Sequence, residues 1–248
     1  MELLNYDYLE TLDRRTFKTR RPYPWQGIPE GLTTDGYERL TTQLPALDLF
    51  KQFFDKPREH GQQPHNRYTL DYRNDLDLPP VWRDFILELE APRYQQWLAG
   101  MLGTRSFLLN YHWHFTPAGC SVSPHCDSFR KLGSHIFYLN REGEWDPSWG
   151  GQTLVLDDHG KFSRKSSPDF ADFAHEDSAP SVGNCSLLFR RRGNSWHGVR
   201  EIQCPEGKMR QVFIVVINAN DVYRRVKRWV RRKPPPGQRP IAVQGSAL

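Results

Sequence analysis

The feature that most constrains this chain is a change of character at Ser106. Beyond it come short runs rich in β-branched and aromatic residues: FLLNYHWHF, SHIFYLN, QTLVLDD, CSLLFRR and RQVFIVVINA. Turn-forming clusters separate them at Thr116-Pro117-Ala118-Gly119, Asp157-Asp158-His159-Gly160 and Gly193-Asn194. Short alternating segments at this spacing cannot form a helical bundle. They predict an all-β barrel or sandwich.

The residues before Ser106 read differently. Thr33-Thr34-Asp35 offers an N-cap to the helix GYERLTTQL, and Pro79-Pro80 suits the first turn of VWRDFILEL. Tyr94 to Leu102 continues helical, and Gly103 can end it. Between them RYTLDY at 67–72 alternates like a strand, and 57–66 (PREHGQQPHN) is a loop by composition. The order is helices first, then a jelly roll, with residues 161–182 a long polar loop holding one weak strand. The expected organisation is an N-terminal helical layer at 1–104, a β core at 105–221 and a basic tail at 222–248.

Bulk properties exclude several classes. A chain of 248 residues with 38% hydrophobic content and a mean hydropathy of −0.72 is polar and fits one large domain. No apolar run approaches the length of a membrane span. The opening MELLNYDYLETLDRR lacks the pattern of a secretory signal, so the cytosol is the expected location. Cys120, Cys126, Cys185 and Cys204 form no CxxC pair and read as scattered reduced thiols. The net charge of +5 comes from the tail, where eight Arg and Lys follow Asp221 with no acid, leaving 5 − 8 = −3 for the rest. Val222, Val226, Trp229 and Val230 fall on one helical face of that tail. It reads first as a solvated basic helix, next as a contact with an anionic membrane on its inner face, and last as a nucleic-acid contact.

The chemistry sits in His125-Cys126-Asp127. Alternate residues of a strand share a face, so His125 and Asp127 can meet one ion while Cys126 points away. A third candidate ligand, His197, lies in SWHGV. Two imidazoles and a carboxylate on one side of a metal leave open positions, the set used by non-haem Fe(II) oxygenases. Arg210 follows thirteen residues after His197, and a turn between two strands would bring it to the same pocket. A guanidinium can grip a carboxylate with two parallel hydrogen bonds.

These stretches resemble the Fe(II)/2-oxoglutarate-dependent dioxygenase superfamily, in particular its prolyl-hydroxylase-like branch. The resemblance runs over residues 105–218 through Gly119 to Asp127, Phe137-Tyr138-Leu139-Asn140, Trp149-Gly150-Gly151, Asn194 to Val199, and Arg210. It implies a double-stranded β-helix core. It also implies Fe(II) held by His125, Asp127 and His197, 2-oxoglutarate held by Arg210 and Tyr138, and ascorbate as a candidate reductant. Thr153 departs from the apolar residue usual after the paired glycines and marks the co-substrate pocket. Asp127 argues against halogenation, because the halogenases of that superfamily carry a small residue there.

The implied activity is hydroxylation of an aliphatic C–H, with release of succinate and CO2. A peptidyl, proline-like residue, a glycan and a natural product all remain open as substrate. Two rivals stand beside it: a metal-binding jelly roll such as a cupin-like isomerase or sensor, and a membrane-docking module. His112 and His114 read as hydrogen-bonded barrel residues before substrate contacts. Arg130 and Lys131 read as a solvated loop, and Arg190 to Arg192 as an exposed strand end.

Overall fold

Two antiparallel sheets face each other in the computed structural model, which describes residues 2–58 and 62–220. The larger has seven strands in the order β1 (Trp25–Pro29), β9 (Cys185–Arg190), β6 (Lys131–Tyr138), β11 (Met209–Ala219), β4 (Phe107–Pro117), β3 (Arg67–Asp71) and β2 (Lys51–Phe53). The smaller has four: β5 (Val122–Cys126), β10 (Trp196–Val199), β7 (Leu154–Asp157) and β8 (His175–Ser178). The jelly-roll core expected from the turn spacing is present, with helices before it.

Strand β11 explains why the larger sheet sits where it does. Its residues alternate between two apolar environments, so it reads as a continuous hydrophobic run. Phe213, Val215 and Ile217 join the core shared with the helices, whereas Val212 and Ile214 join Tyr138, Val155 and Leu187 between the sheets. Its neighbour β4 sends Tyr111, Trp113 and Phe115 to the helix side. The alternate residues His112, His114 and Thr116 therefore face the space between the sheets.

Five α-helices among the described residues precede or flank these strands: α1 (Tyr6–Leu9), α2 (Arg14–Thr19), α3 (Thr34–Thr42), α4 (Pro80–Glu90) and α5 (Pro92–Leu102). The Thr33 hydroxyl accepts from Gly36 N at 3.0 Å, satisfying an otherwise unpaired donor at the start of α3. Pro80 opens α4, where a missing N–H costs nothing. Gly103 closes α5 at φ 69°, a left-handed conformation that favours glycine. Trp82 and Phe85 of α4 pack on Phe213 of β11, with ring centroids 5.2 and 5.5 Å apart. The Glu88 carboxylate accepts from Leu3 N and Leu4 N, tying the first residues to α4.

Three points differ from the sequence reading. Residues before 105 are more than a helical layer, because β1, β2 and β3 extend the larger sheet at both edges. The three-residue β2 is too short for any alternation to be read. Strands β10 and β11 form no hairpin: they lie in different sheets, so residues 200–208 carry the chain from one sheet to the other. The third is Lys131, which is not a solvated loop residue but opens β6 and bonds to Asp127, whereas Arg130 is exposed as read. The weak strand expected within 161–182 is β8. All four cysteines are free thiols. No helix among the described residues is long and apolar enough to cross a membrane. The tail at 222–248 lies outside the described residues.

Candidate metal centre

Strand pairing assembles the centre. His197 on β10 lies directly opposite His125 on β5, and their ring centroids are 4.3 Å apart. Asp127 follows the end of β5, with Oδ2 3.9 Å from His197 Nε2. One potential ligand atom from each of the three lies within 4.8 Å of the others. Their neighbours point the other way: Cys126 packs with Leu154, Leu156 and Trp196 on the outer face of the small sheet.

The backbone fixes the tautomers. His125 Nδ1 pairs with the Ser123 carbonyl at 2.9 Å, and His197 Nδ1 with the Ser195 carbonyl at 3.0 Å. A carbonyl can only accept, so each Nδ1 carries the proton and each Nε2 keeps its lone pair free. Burial pushes both imidazoles below their ordinary range, His125 strongly so. Burial alone would raise the Asp127 carboxyl, but Lys131 and the histidines outweigh it and hold it below the usual carboxylate range. Lys131 Nζ donates to Asp127 Oδ1 at 2.8 Å, leaving Oδ2 toward His197. Two neutral imidazoles and one ionised carboxylate are the protonation states that bind a divalent cation. The donor set therefore fits an iron site.

Arg210 is buried at 5% exposure on β11. Its Nε donates to the Gly151 carbonyl, and Nη2 donates to Thr153 Oγ1 at 3.2 Å. Gly150 and Gly151 have φ of +83° and +104°, a turn that L side chains rarely adopt and that delivers the Gly151 carbonyl to Arg210. Tyr138 lies under the guanidinium, whose carbon is 5.6 Å from the ring centre. The Tyr138 hydroxyl accepts from Thr153 N at 3.3 Å, which leaves its own proton to donate. Arg210, Tyr138 and Thr153, distant in sequence, thus form one cationic end of the space between the sheets. Thr153 contributes the hydroxyl that an apolar residue would lack.

Three side chains near the centre escaped the sequence reading. His65 stands edge-on to His125 with centroids 4.8 Å apart, and its Nε2 is 3.3 Å from Ser123 Oγ. Arg58 Nη1 contacts that same His65 nitrogen and lies 3.4 Å from Ser123 Oγ. Arg67 donates from Nη1 to the His65 carbonyl at 2.9 Å. Burial, then Arg58, pushes His65 down to about 3. Nothing in PREHGQQPHN signals this, because a loop has no periodicity to reveal a shared face. His112 and His114 stack with centroids 4.4 Å apart, and Asp71 Oδ1 is 3.7 Å from His112 Nδ1. Arg191 packs against Phe129 and donates from Nε to the Lys131 carbonyl at 3.0 Å.

No protein-family profile matches the sequence, and a search of curated proteins finds no match. Solved structures do match. A prolyl-4-hydroxylase from Pseudomonas putida superposes with a TM-score of 0.53 at 15% identity, over 83% of this chain and 98% of that one. A prolyl hydroxylase from Trichoplax adhaerens, solved with a hypoxia inducible factor peptide, gives a TM-score of 0.59 at 12% identity, over 83% and 87%. The non-heme alpha ketoglutarate dependent carbocyclase SnoK from nogalamycin biosynthesis gives 0.58 at 11% identity, over 96% of both chains. The fold is therefore that of the non-haem iron, 2-oxoglutarate-dependent dioxygenases. It carries a His125, Asp127 and His197 cluster of the facial-triad type.

Proposed function

We propose that the protein is an Fe(II)- and 2-oxoglutarate-dependent oxygenase that hydroxylates an aliphatic carbon. The observation that carries this reading is the pairing of two polar ends in one space: two free Nε2 atoms with a carboxylate oxygen at one end, and a buried guanidinium at the other. His125, Asp127 and His197 would hold the metal. Arg210 would take the distal carboxylate of 2-oxoglutarate, with Tyr138 donating its hydroxyl proton to the same group and Thr153 orienting the guanidinium. Bound Fe(II) would supply O2 activation, coupled to conversion of 2-oxoglutarate into succinate and CO2.

The chain's own contribution is placement and shielding. Lys131 keeps Asp127 ionised and turned toward the histidines. The apolar wall of Ile136, Val155, Val212 and Ile214 keeps water from the co-substrate. Prolyl hydroxylases among the structural neighbours support a peptidyl substrate. The carbocyclase supports a natural product, and with it ring closure as an alternative reaction. A cupin-like isomerase or sensor has no use for the Arg210 end.

The test is succinate release from 2-oxoglutarate with Fe(II) and ascorbate, paired with calorimetric binding of 2-oxoglutarate to the metal-loaded protein. Binding that disappears in Arg210→Ala and His197→Ala supports the reading. Metal binding with no 2-oxoglutarate binding would leave the isomerase or sensor in its place.

A further inference from the structure

Beside the metal centre lies a second concentration of positive charge that the co-substrate site does not use. Arg67 sits on β3 in register beyond Thr69, which pairs with His114, so it shares the inner face with His114. Its Nη1 is taken by the His65 carbonyl, but its Nε is buried with no hydrogen-bond partner among the described residues. A buried guanidinium donor without a partner loses its hydration and gains nothing in return, so such a group points to a missing acceptor. Arg58 approaches from the loop before β3, where its Nη1 contacts His65 Nε2 and lies 3.4 Å from Ser123 Oγ. Lys131 and Arg67 both bear on His112 and His114. Arg58 and Arg67 thus flank His65 beside the metal ligand His125, with Lys131 on Asp127 as a third cation of the centre. Among the described residues, Asp71, largely exposed, acts on Arg67, and Asp127, committed to the centre, acts on Arg58 and Lys131. This happens in a body whose net charge without the tail is −3, so the positive charge is local.

We propose that the primary substrate carries an oxyanion, a carboxylate or a phosphate, that docks on Arg67 and Arg58 beside the metal centre. The proposal rests on the oxygenase reading and narrows its substrate class. An oxyanion accepting from Arg67 Nε satisfies the orphaned donor, and Arg58 adds a second charge-assisted contact. The anchored group then leaves a neighbouring carbon of the same molecule near His125, while 2-oxoglutarate occupies the Arg210 end. Thr116 of β4 lies opposite Arg210, and the stacked His112 and His114 follow it on the same inner face. A neutral prolyl side chain alone would leave this wall unmatched. A peptide would need an acidic residue or a free carboxylate close to the oxidised position.

The probe is inorganic phosphate, added to the full chain carrying Mn(II) and saturating 2-oxoglutarate. Mn(II) in the triad relaxes nearby 31P nuclei, so the readout is distance to the metal and requires no turnover. Saturable relaxation that weakens about tenfold or more in Arg67→Gln, and less in Arg67→Lys, supports the site. Acetate observed by 13C in the same way decides whether carboxylate or phosphate is preferred. Arg58→Gln gives an independent comparison if Arg67→Gln does not fold. Relaxation that is unchanged in the Arg67 and Arg58 variants, that is absent whether or not 2-oxoglutarate is added, or that appears only when 2-oxoglutarate is left out would overturn the proposal. The last result would place phosphate at Arg210. Calorimetry of phosphate on the metal-free protein separates the two failures. If Mn(II) does not bind, the oxygenase reading fails, and phosphate heat that vanishes in Arg67→Gln still supports the anion site, whereas its absence removes it.

Discussion

His197 lies directly across the strand pair from His125, and each ring turns its protonated Nδ1 back onto the carbonyl two residues before it. The same local device, repeated on two antiparallel strands, aims both Nε2 lone pairs into one space. The metal centre is thus held by backbone hydrogen bonds of the small sheet rather than by flexible loops, and its consequences can be measured.

Removing a ligand should abolish metal binding without unfolding the chain. His197→Ala and Asp127→Ala are expected to weaken Mn(II) binding by roughly 100-fold or more, beyond the range typical for second partners. Electron paramagnetic resonance of free against bound Mn(II) measures this, and circular dichroism checks the fold. Variants that retained wild-type affinity would place the ion elsewhere.

Lys131 should tune the centre without touching the ion. Its Nζ holds one oxygen of Asp127 at 2.8 Å. Lys131→Met is expected to lower metal affinity by about 10-fold, toward the mild end of outer-partner effects. A loss as large as that of Asp127→Ala would make Lys131 part of the folding core instead.

The two residues at the cationic end of the co-substrate space should fail differently. Truncating a buried, hydrogen-bonded charge costs about 2–5 kcal/mol, so Arg210→Ala should weaken 2-oxoglutarate at least about 30-fold. Thr153→Val removes one acceptor from that guanidinium and should cost about 1 kcal/mol, near fivefold. Calorimetry on the metal-loaded protein reads both. Equal losses would mean that Thr153 contacts the co-substrate itself.

Acid should destabilise the metal-free protein well above the carboxyl range. Burial holds His65, His112 and His135 down to about 3, and His114, His125 and His197 are also lowered. A base with a depressed folded value binds fewer protons folded than unfolded, so stability rises with pH. The stability is complete above about 6.5, the unfolded value, and falls with acid by up to about 1.4 kcal/mol per pH unit for each histidine. Asp127 adds to the loss only as pH drops through 3.8 and below. Thermal midpoints measured from pH 8 down to 4 should fall steeply below 6.5. A flat profile there would contradict buried neutral imidazoles.

The joint between helices and sheet should dominate folding stability. Trp82 is fully buried, packs on Trp113 and Phe213, and donates from Nε1 to the Gln43 carbonyl at 2.7 Å. Trp82→Ala should cost about 3–5 kcal/mol in urea unfolding. A cost below about 1 kcal/mol would mean that the helices are an accessory layer.

The amino-acid order by itself determined what depends on near neighbours. Alternation in FLLNYHWHF and the continuous β-branched run of RQVFIVVINA dictated strands, because successive side chains leave a strand in opposite directions. The same rule separated His125 and Asp127 from Cys126, and Thr33, Pro80 and Gly103 fixed helix ends through local backbone chemistry. What only the tertiary structure decided is which distant faces meet. The register of β5 on β10 sets His125 opposite His197. The crossing between sheets brings Arg210 to Gly151 and Thr153, and the loop before β3 lays Arg58, His65 and Arg67 against the centre. Those contacts arise from packing between segments far apart along the chain, and no local period encodes them.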